Sequence, residues 1–176
     1  MTDSTRYAAL LLALPVLLGS GRDPGILLEL DRAAFELTVR DLRGEADGPR
    51  IPVVLGSPLH PTPAGEFPLY RVIETPEWRP GPAARAAGAR RVSASSGGPL
   101  GVAKIPFAPG GIALHGGAHP LLLGKHVSLG CVRTDDGDLL DLIDWLRAHG
   151  ALGRSRERPN GEAYRSFLRP AQLRVH

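Results

Sequence analysis

Cysteine is nearly absent from this sequence: its 176 residues contain a single one, Cys131. One cysteine cannot form a disulfide within the chain. If the chain is exported to an oxidising compartment, an unpaired thiol needs a chemical reason to be there. Catalysis by a nucleophilic thiolate is the simplest reason, and a buried, inert cysteine is the alternative.

Aromatic residues are scarce at 5%, and neither sign of charge dominates, since 21 Lys and Arg against 18 Asp and Glu leave a net charge of +3. The basic residues are dispersed and are not interleaved with aromatic residues, as they are in proteins that bind single-stranded nucleic acid. We therefore expect no nucleic acid partner. The hydrophobic share of 43% and the charged share of 22% are typical of one globular domain.

A hydrophobic run long enough for an ordinary membrane span is also missing. The apolar residues from Tyr7 to Leu18 form a shorter run, which follows a brief polar start and precedes small residues. This order resembles a secretory signal, although the A-x-A cleavage pattern is absent. We expect residues 1–21 to act as a signal peptide or membrane anchor and residues 22–176 to form one exported domain. A buried core helix is the other interpretation of the run.

Glycine and proline, by contrast, are abundant, with 22 and 17 copies, which favours many turns and short strands. Alternating apolar and polar residues predict a β-hairpin from Ile26 to Val39. The polar, arginine-rich segment 151–170 is interpreted as solvated. These features together predict a mostly β fold. Further strands are expected at residues 50–56, 67–74, 102–107, 111–114 and 172–175.

After Arg133 the apolar period changes to 3.6, which predicts one helix. Thr134 or Asp135 is expected to cap its start, and Gly150 to end it. The segment 75–101, rich in Pro, Ala, Gly, Arg and Ser, is too long for a plain connector and is interpreted as a lid or flap. The buried face of the helix is predicted to carry Leu139, Leu142, Ile143 and Leu146.

The residues that are best suited to catalysis lie close to Cys131 in the sequence. His115 ends a short apolar run that starts at Ile112, while Cys131 lies just ahead of the predicted helix. A thiol is mostly protonated at neutral pH, so an imidazole or a helix amino terminus must help to form the thiolate. We therefore predict that Cys131 is a nucleophile and that His115 is its base.

Four motifs occur in order within residues 26–148. They are GSPLHPTPAGEF at 56–67, GPLG at 98–101, LHG at 114–116 and SLGCVR at 128–133. Together they resemble the L,D-transpeptidase catalytic domain of bacterial cell-wall enzymes, also called the YkuD domain. Four motifs in a fixed order coincide by chance far less often than one, so the resemblance is specific.

The resemblance implies an L,D-transpeptidase-like β-sandwich and a cysteine-dependent acyltransferase. In that reaction Cys131 attacks the bond between an L-centre and D-alanine in a peptidoglycan tetrapeptide stem, D-alanine leaves, and an amine takes the acyl group. The expected partners are peptidoglycan stem peptides, in the cell envelope or periplasm. We expect a monomer that works in cell-wall organisation without a cofactor or metal. An L,D-carboxypeptidase that uses water and an inactive wall-binding module are the alternatives.

Supporting roles are assigned to neighbouring positions. The Gly116 carbonyl is expected to hold one ring nitrogen of His115, and backbone amides around Gly130 to stabilise the oxyanion of the tetrahedral intermediate. Ser128 and Arg133 match motif positions and are expected to bind substrate. For the guanidinium of Arg133, a substrate carboxylate and a structural ion pair with Asp135 or Asp136 are both open.

Leu129 departs from the family pattern, which often has histidine at this position. We expect the leucine to pack inward and to leave catalysis in place, because proton removal is assigned to His115.

A zinc site is the competing interpretation of the same segment, with His115, His119, His126 and Cys131 as ligands. No H-E-x-x-H pattern occurs, and Pro120 interrupts any helix that would align the first two histidines. A zinc peptidase is therefore the weaker alternative. We expect His119 and His126 to lie on a loop, exposed or shaping the substrate groove.

Overall fold

The computed structural model describes residues 25–176. The expected signal or anchor at residues 1–21 lies outside this range, and within it no helix has the length and apolar character to cross a membrane. The helices are α1 (Pro82–Ala86) and α2 (Asp136–Ala148). The strands are β1 (Ile26–Asp31), β2 (Glu36–Asp41), β3 (Ala46–Pro52), β4 (Leu55–Gly56), β5 (Gly65–Glu74), β6 (Ala103–Ala108), β7 (Ile112–His115), β8 (His126–Ser128), β9 (Val132–Arg133), β10 (Arg156–Glu157) and β11 (Ala163–Val175).

Most strands join one nine-stranded sheet, in the order β3-β2-β1-β11-β5-β6-β7-β9, with β10 beside β11. Strands β4 and β8 form a separate two-stranded ladder. Within the large sheet, β1 runs parallel to β11 and β7 runs parallel to β9, while the other pairs are antiparallel. The mostly β fold predicted from the sequence is confirmed.

Helix α2 packs its apolar face into the core beside the sheet. Leu139, Leu142, Ile143 and Leu146 are buried in one cluster with alternate residues of β1. Burying each such side chain contributes roughly 1.5–3 kcal/mol. The Asp135 carboxylate accepts a hydrogen bond from the Gly137 amide at 2.8 Å, so Asp135 is the cap. Gly150 follows the helix in the left-handed conformation, with φ of 63°, as the sequence predicted for its end.

The first hairpin is confirmed as β1 and β2, but the third predicted strand differs from the structure. The sequence predicted one strand at residues 50–56, whereas β3 starts at Ala46 and a separate β4 follows. After Pro52 the chain leaves its partner β2, because Val54 pairs with Arg133 of β9, at the opposite edge of the large sheet, and Leu55 pairs with His126 of β8.

The strand predicted at residues 172–175 is present, but it begins much earlier than the sequence predicted, within the segment 151–170 that was interpreted as solvated. Strand β11 spans Ala163–Val175 and lies between β1 and β5 in the middle of the sheet. Its arginines are on the sheet because each finds an acidic partner: Arg165 contacts Glu74 at 2.7 Å, and Arg169 binds both oxygens of Asp41 at 3.0 Å. The strand was therefore hard to predict, because its arginines are paired with acidic residues that are distant in the sequence.

The segment 75–101 covers one end of the sheet and is tied down near both of its ends; we call it the flap. Trp78 and Val92 exchange two backbone hydrogen bonds of 2.9 Å. The carboxylate of Glu77, 4% exposed, accepts hydrogen bonds from Arg79 and Arg91. These bonds hold the pKa of Glu77 at about 2, well below its ordinary value, so the flap is fastened by a charged anchor.

Candidate active site

Strand pairing brings the predicted nucleophile and base to one place. Strands β7 and β9 run parallel, with Leu114 opposite Val132 and His115 opposite Arg133. Because residues two apart on a strand point to the same face, Cys131 lies on the same side as Arg133 and His115. A cleft of about 550 Å³ opens there. It is lined by Cys131, His115, Arg133 and Lys104 from the strands, by Trp78, Arg79 and Leu100 from the flap, and by Leu129 from the turn.

His115 is held as a neutral imidazole with a fixed tautomer. Its side chain is buried, and Nδ1 lies 2.7 Å from the Gly116 carbonyl oxygen. A carbonyl only accepts hydrogen bonds, so Nδ1 carries the proton and Nε2 keeps a free lone pair. Burial, aided by the nearby charges of Arg133 and Lys104, lowers the pKa of His115 to about 4. The ring is therefore unprotonated at neutral pH, and its Nε2 lone pair is free.

Cys131 is partly exposed in the same cleft. Its Sγ lies 3.9 Å from the Gly111 carbonyl oxygen, at the end of β7 opposite His115. The structure does not place the thiol against a helix amino terminus, as the sequence suggested. Helix α2 begins at Asp136, beyond β9, and its first free amide is occupied by the Asp135 carboxylate. Activation of the thiol by the amino terminus of the helix thus has no support in this geometry.

Ser128 is fully buried and does not line the cleft. Its Oγ donates a hydrogen bond to the Cys131 carbonyl oxygen at 2.6 Å and accepts one from the Gly130 amide at 3.1 Å. Both bonds lie within the turn 128–131, which we call the cysteine turn. The hydroxyl therefore holds the shape of this turn, and it does not face a bound substrate as the sequence suggested.

The hydrogen bond from the Gly130 amide to Ser128 determines which amide of the turn is available to an oxyanion. The Gly130 amide is already engaged by Ser128, whereas the Cys131 amide donates no hydrogen bond within residues 25–176. Gly130 is needed for the backbone itself, because its φ is 107° and a Cβ there would lie 2.8 Å from Ile112. The amide of Cys131 is thus a free donor at the cysteine turn.

Leu129 lies on the surface of the cleft, and the expectation that it packs inward was wrong. Its side chain is 58% exposed, while Ser128 and Gly130 on either side are buried. Ser128 and Gly130 are thus the residues of the turn that point inward, and the Ser128 hydroxyl makes its hydrogen bonds there. The leucine side chain consequently faces the cleft.

The guanidinium of Arg133 also faces the cleft. Within residues 25–176 it forms no ion pair, and its buried Nε has no hydrogen-bond partner. The structural pair with Asp135 or Asp136 does not form. Asp135 caps the helix, and Asp136 is engaged by backbone amides. Arg133 is thus a cation at the cleft with unused donors.

Asp136 is a supporting residue that sequence reasoning missed. Its Oδ1 accepts hydrogen bonds from the amides of Val102, at 3.0 Å, and Gly117, at 2.9 Å, and so ties the flap's end to the loop after His115. A Cβ at Gly101 or Gly116 would approach this oxygen to 2.1 or 2.0 Å. The glycines in two of the sequence motifs were the available signal, since they mark a close approach.

The remaining histidines of the segment stand apart from this site. His119 is exposed and accepts a hydrogen bond from the Leu121 amide, while His126 contacts the Gly56 carbonyl oxygen at 3.0 Å and packs on Phe35. Across the part of the chain that the structure describes, no three His, Cys, Asp or Glu side chains converge in the way that a metal requires. The zinc interpretation has no support in this geometry.

Comparisons with known proteins agree with this architecture. A solved L,D-transpeptidase from Mycobacterium tuberculosis H37Rv is 14% identical, with a TM-score of 0.55 over 87% of this chain and 58% of its own. L,D-transpeptidase 3 from Mycobacterium tuberculosis, in complex with a faropenem-derived adduct, is 15% identical, with a TM-score of 0.56 over 87% of this chain and 60% of its own. The catalytic domain of the E. faecium L,D-transpeptidase is 16% identical, with a TM-score of 0.54 over 89% of this chain and 100% of its own.

At these identities the solved structures show a shared fold, and this chain spans less than two thirds of the length of the two mycobacterial proteins. No curated protein matches the chain. The family model for the L,D-transpeptidase catalytic domain, YkuD, matches residues 27–159. Since that match covers most of the sequence, the chain belongs to the L,D-transpeptidase catalytic domain family.

Proposed function

We propose that this chain is a peptidoglycan L,D-transpeptidase with Cys131 as nucleophile and His115 as base. His115 Nε2 takes the thiol proton, and the thiolate sulfur bonds to the carbonyl carbon that precedes D-alanine in a tetrapeptide stem. The tetrahedral intermediate breaks its C–N bond, and D-alanine leaves with the proton from His115. An acceptor amine then attacks the thioester, His115 takes the amine proton, and the thiol is restored.

The observation that carries this proposal is the placement of Cys131 and His115 in one cleft, with the imidazole neutral and its tautomer set by Gly116. A base must be unprotonated and must present a lone pair to act. His115 meets both conditions through its burial and its bond to a carbonyl. Gly116 thus supports catalysis by its backbone, as the sequence suggested.

The oxyanion of the intermediate is assigned to the Cys131 amide, which is free to donate within the described residues. Ser128 and Gly130 then act as positioning residues, because they fix the cysteine turn through the hydroxyl bonds at 2.6 and 3.1 Å. A preorganised donor at a developing negative charge is typically worth about 100- to 1,000-fold in rate. Arg133 is assigned to a carboxylate of the donor stem, since a guanidinium binds carboxylates bidentately.

Solved relatives supply a chemical probe for the site. One solved neighbour is an L,D-transpeptidase in complex with imipenem, and another carries a faropenem-derived adduct. We propose that the strained amide of such a β-lactam acylates Cys131 in the same way as the natural donor.

Intact-mass measurement after incubation with imipenem tests the proposal. We expect one adduct per chain in the wild type and none in Cys131→Ala. His119→Ala, which changes an exposed histidine outside the cleft, is the matched control and should label like the wild type. An unmodified wild type, or an adduct that persists in Cys131→Ala, would contradict the nucleophile assignment and favour the inactive wall-binding module.

The acceptor is tested separately by product analysis with a tetrapeptide and an amine. A transpeptidase gives the cross-linked product, whereas an L,D-carboxypeptidase gives only the tripeptide. We propose the amine, because Leu129 and Trp78 give the cleft apolar surface beside Cys131, where an organic acceptor packs better than water.

A further inference from the structure

The floor of the cleft carries a row of positive charge. Lys104 is opposite His115 in the ladder of β6 and β7, and His115 is opposite Arg133 in the ladder of β7 and β9. Residues paired in register on neighbouring strands project to the same face. The imidazole therefore lies between an ammonium and a guanidinium, and all three groups line the cleft.

No acidic residue is among the described residues that line the cleft, although the whole chain carries 18 Asp and Glu against 21 Lys and Arg. The third cation there, Arg79, is matched by the anchor carboxylate of Glu77. Arg133 has no acidic partner in residues 25–176. The positive charges that lack a close acidic partner are thus those of Lys104 and Arg133, on the two sides of His115.

Lys104 is only weakly neutralised. Its ammonium lies 4.0 Å from Glu162, at the outer limit of an ion pair, and that carboxylate is shared with Arg158 at 3.6 Å. Its one hydrogen bond among the described residues, to the Glu77 carbonyl oxygen, is long at 3.5 Å. The side chain is 21% exposed, toward the cleft. Keeping a partly buried cation without a close partner is costly, and an anionic ligand that binds there removes the cost.

Resting on the proposed function, we propose that Lys104 and Arg133 bind two separate carboxylates of the donor stem. One is the C-terminal carboxylate of the departing D-alanine, and the other ends the side chain of the residue whose carbonyl is attacked. The donor class is then a stem with a free side-chain carboxylate rather than its amide. Lys104 is a specificity-determining residue, and His115 between the two cations stays neutral and free for proton transfer.

Equilibrium binding of tetrapeptides to the Cys131→Ala protein tests this without turnover. The probes are the diacid, the two peptides amidated at one carboxylate, and the diamide. We expect amidation of the side-chain carboxylate to weaken binding about 10- to 100-fold, the range of a charge-assisted hydrogen bond. In Cys131→Ala with Lys104→Met, the diacid should bind as weakly as that monoamide does, and amidation there should cause no further loss.

Lys104→Arg should restore the preference, and Arg50→Met, which removes a cation outside the cleft, should leave it unchanged. The proposal is overturned if diacid and diamide bind equally, or if the preference survives Lys104→Met. Equal weakening of all four peptides by Lys104→Met would show instead that the lysine only supports the fold through Glu162. The imipenem adduct on Cys131 is measured independently, so loss of the transpeptidase assignment and loss of this proposal give different results.

Discussion

Within the cysteine turn, neighbouring residues have opposite tasks. Ser128 is buried, and its hydroxyl donates one hydrogen bond to the backbone and accepts another from it. Leu129 beside it is 58% exposed. The exposed side chain at position 129 therefore makes none of the hydrogen bonds that hold the turn. A change at Leu129 should alter substrate contact, whereas a change at His115 removes the base.

Comparing acylation rates by imipenem in three proteins separates these roles. We expect His115→Ala to acylate about 100- to 10,000-fold more slowly than the wild type, because general base catalysis is lost. Leu129→His should stay within about 10-fold of the wild type, since an exposed side chain there holds no catalytic hydrogen bond. A wild type that is inert until Leu129→His restores it would place the catalytic burden at position 129 and refute the assignment to His115.

Burial of His115 also makes the stability of the fold depend on pH. Its pKa in the folded chain is about 4, below the ordinary 6.5, so between these values the unfolded state binds a proton that the folded state does not. The unfolding free energy should therefore be highest above pH 6.5 and fall on acidification toward pH 4. A shift of this size corresponds to about 3 kcal/mol.

Urea unfolding at pH 7 and pH 4.5 measures this contribution. His115→Gln, which cannot titrate, should lose less stability on acidification than the wild type, while the other titratable groups act alike in both proteins. Equal losses in the two proteins would show that His115 is not buried as a neutral ring.

Which site residues the sequence could reveal depends on where their partners lie. Cys131 and His115 were found because they stand in motifs, and the Gly116 carbonyl is adjacent to His115 in the chain. Asp136 was missed because its partners Val102 and Gly117 come from distant segments.

At the scale of elements, the flap owes its position to one carboxylate. Glu77 receives hydrogen bonds from Arg79 and Arg91 on the flap and from Asn160 on the segment before β11, at 3.3 Å in the last case. Its own amide donates to Glu162 at 3.0 Å. Trp78 and Arg79, which line the cleft, follow this anchor directly, so their placement depends on it.

Hydrogen exchange in Glu77→Ala tests the anchor. We expect the Trp78 and Val92 amides, which bond across the flap, to exchange about 10- to 100-fold faster, while amides of α2 keep their protection. Glu36→Ala removes an exposed carboxylate paired with Arg50 outside the flap and is the matched control. Unchanged exchange at Trp78 would show that the backbone ladder alone holds the flap.

The elements differed in how well the sequence predicted them. Helix α2 was predictable because its apolar period, the Asp135 cap and Gly150 agree. Strand β11 was not, because residues 163–170 alternate little in hydrophobicity and carry arginines whose partners, such as Asp41 and Glu74, are distant in sequence. Residues 163–170 are half-buried or exposed although they belong to a central strand, so their polar sequence resembled that of an irregular surface segment.

For the whole molecule, location is the property on which the proposed function depends, since the stem peptides lie outside the cytoplasm. We propose that the Tyr7 to Leu18 run directs export. A variant that starts at Gly21 should remain in the cytoplasmic fraction, while the full chain reaches the envelope. Imipenem labelling of the retained protein shows whether it is folded, and normal envelope delivery of the shortened protein would refute this role of the run.

The central position of β11 has a consequence for how the protein is made. Strand β1 pairs in parallel with β11, joining Ile26 to Ala171, and β5 takes the other edge of the same strand. Strands β1 to β7 leave the ribosome well before β11. The part of the sheet that contains β1 and the part that contains β5 therefore lack the strand that joins them during most of synthesis. Pairings between such distant segments form slowly and late. The nascent chain thus cannot complete its large sheet until the arginine-rich strand β11 has emerged.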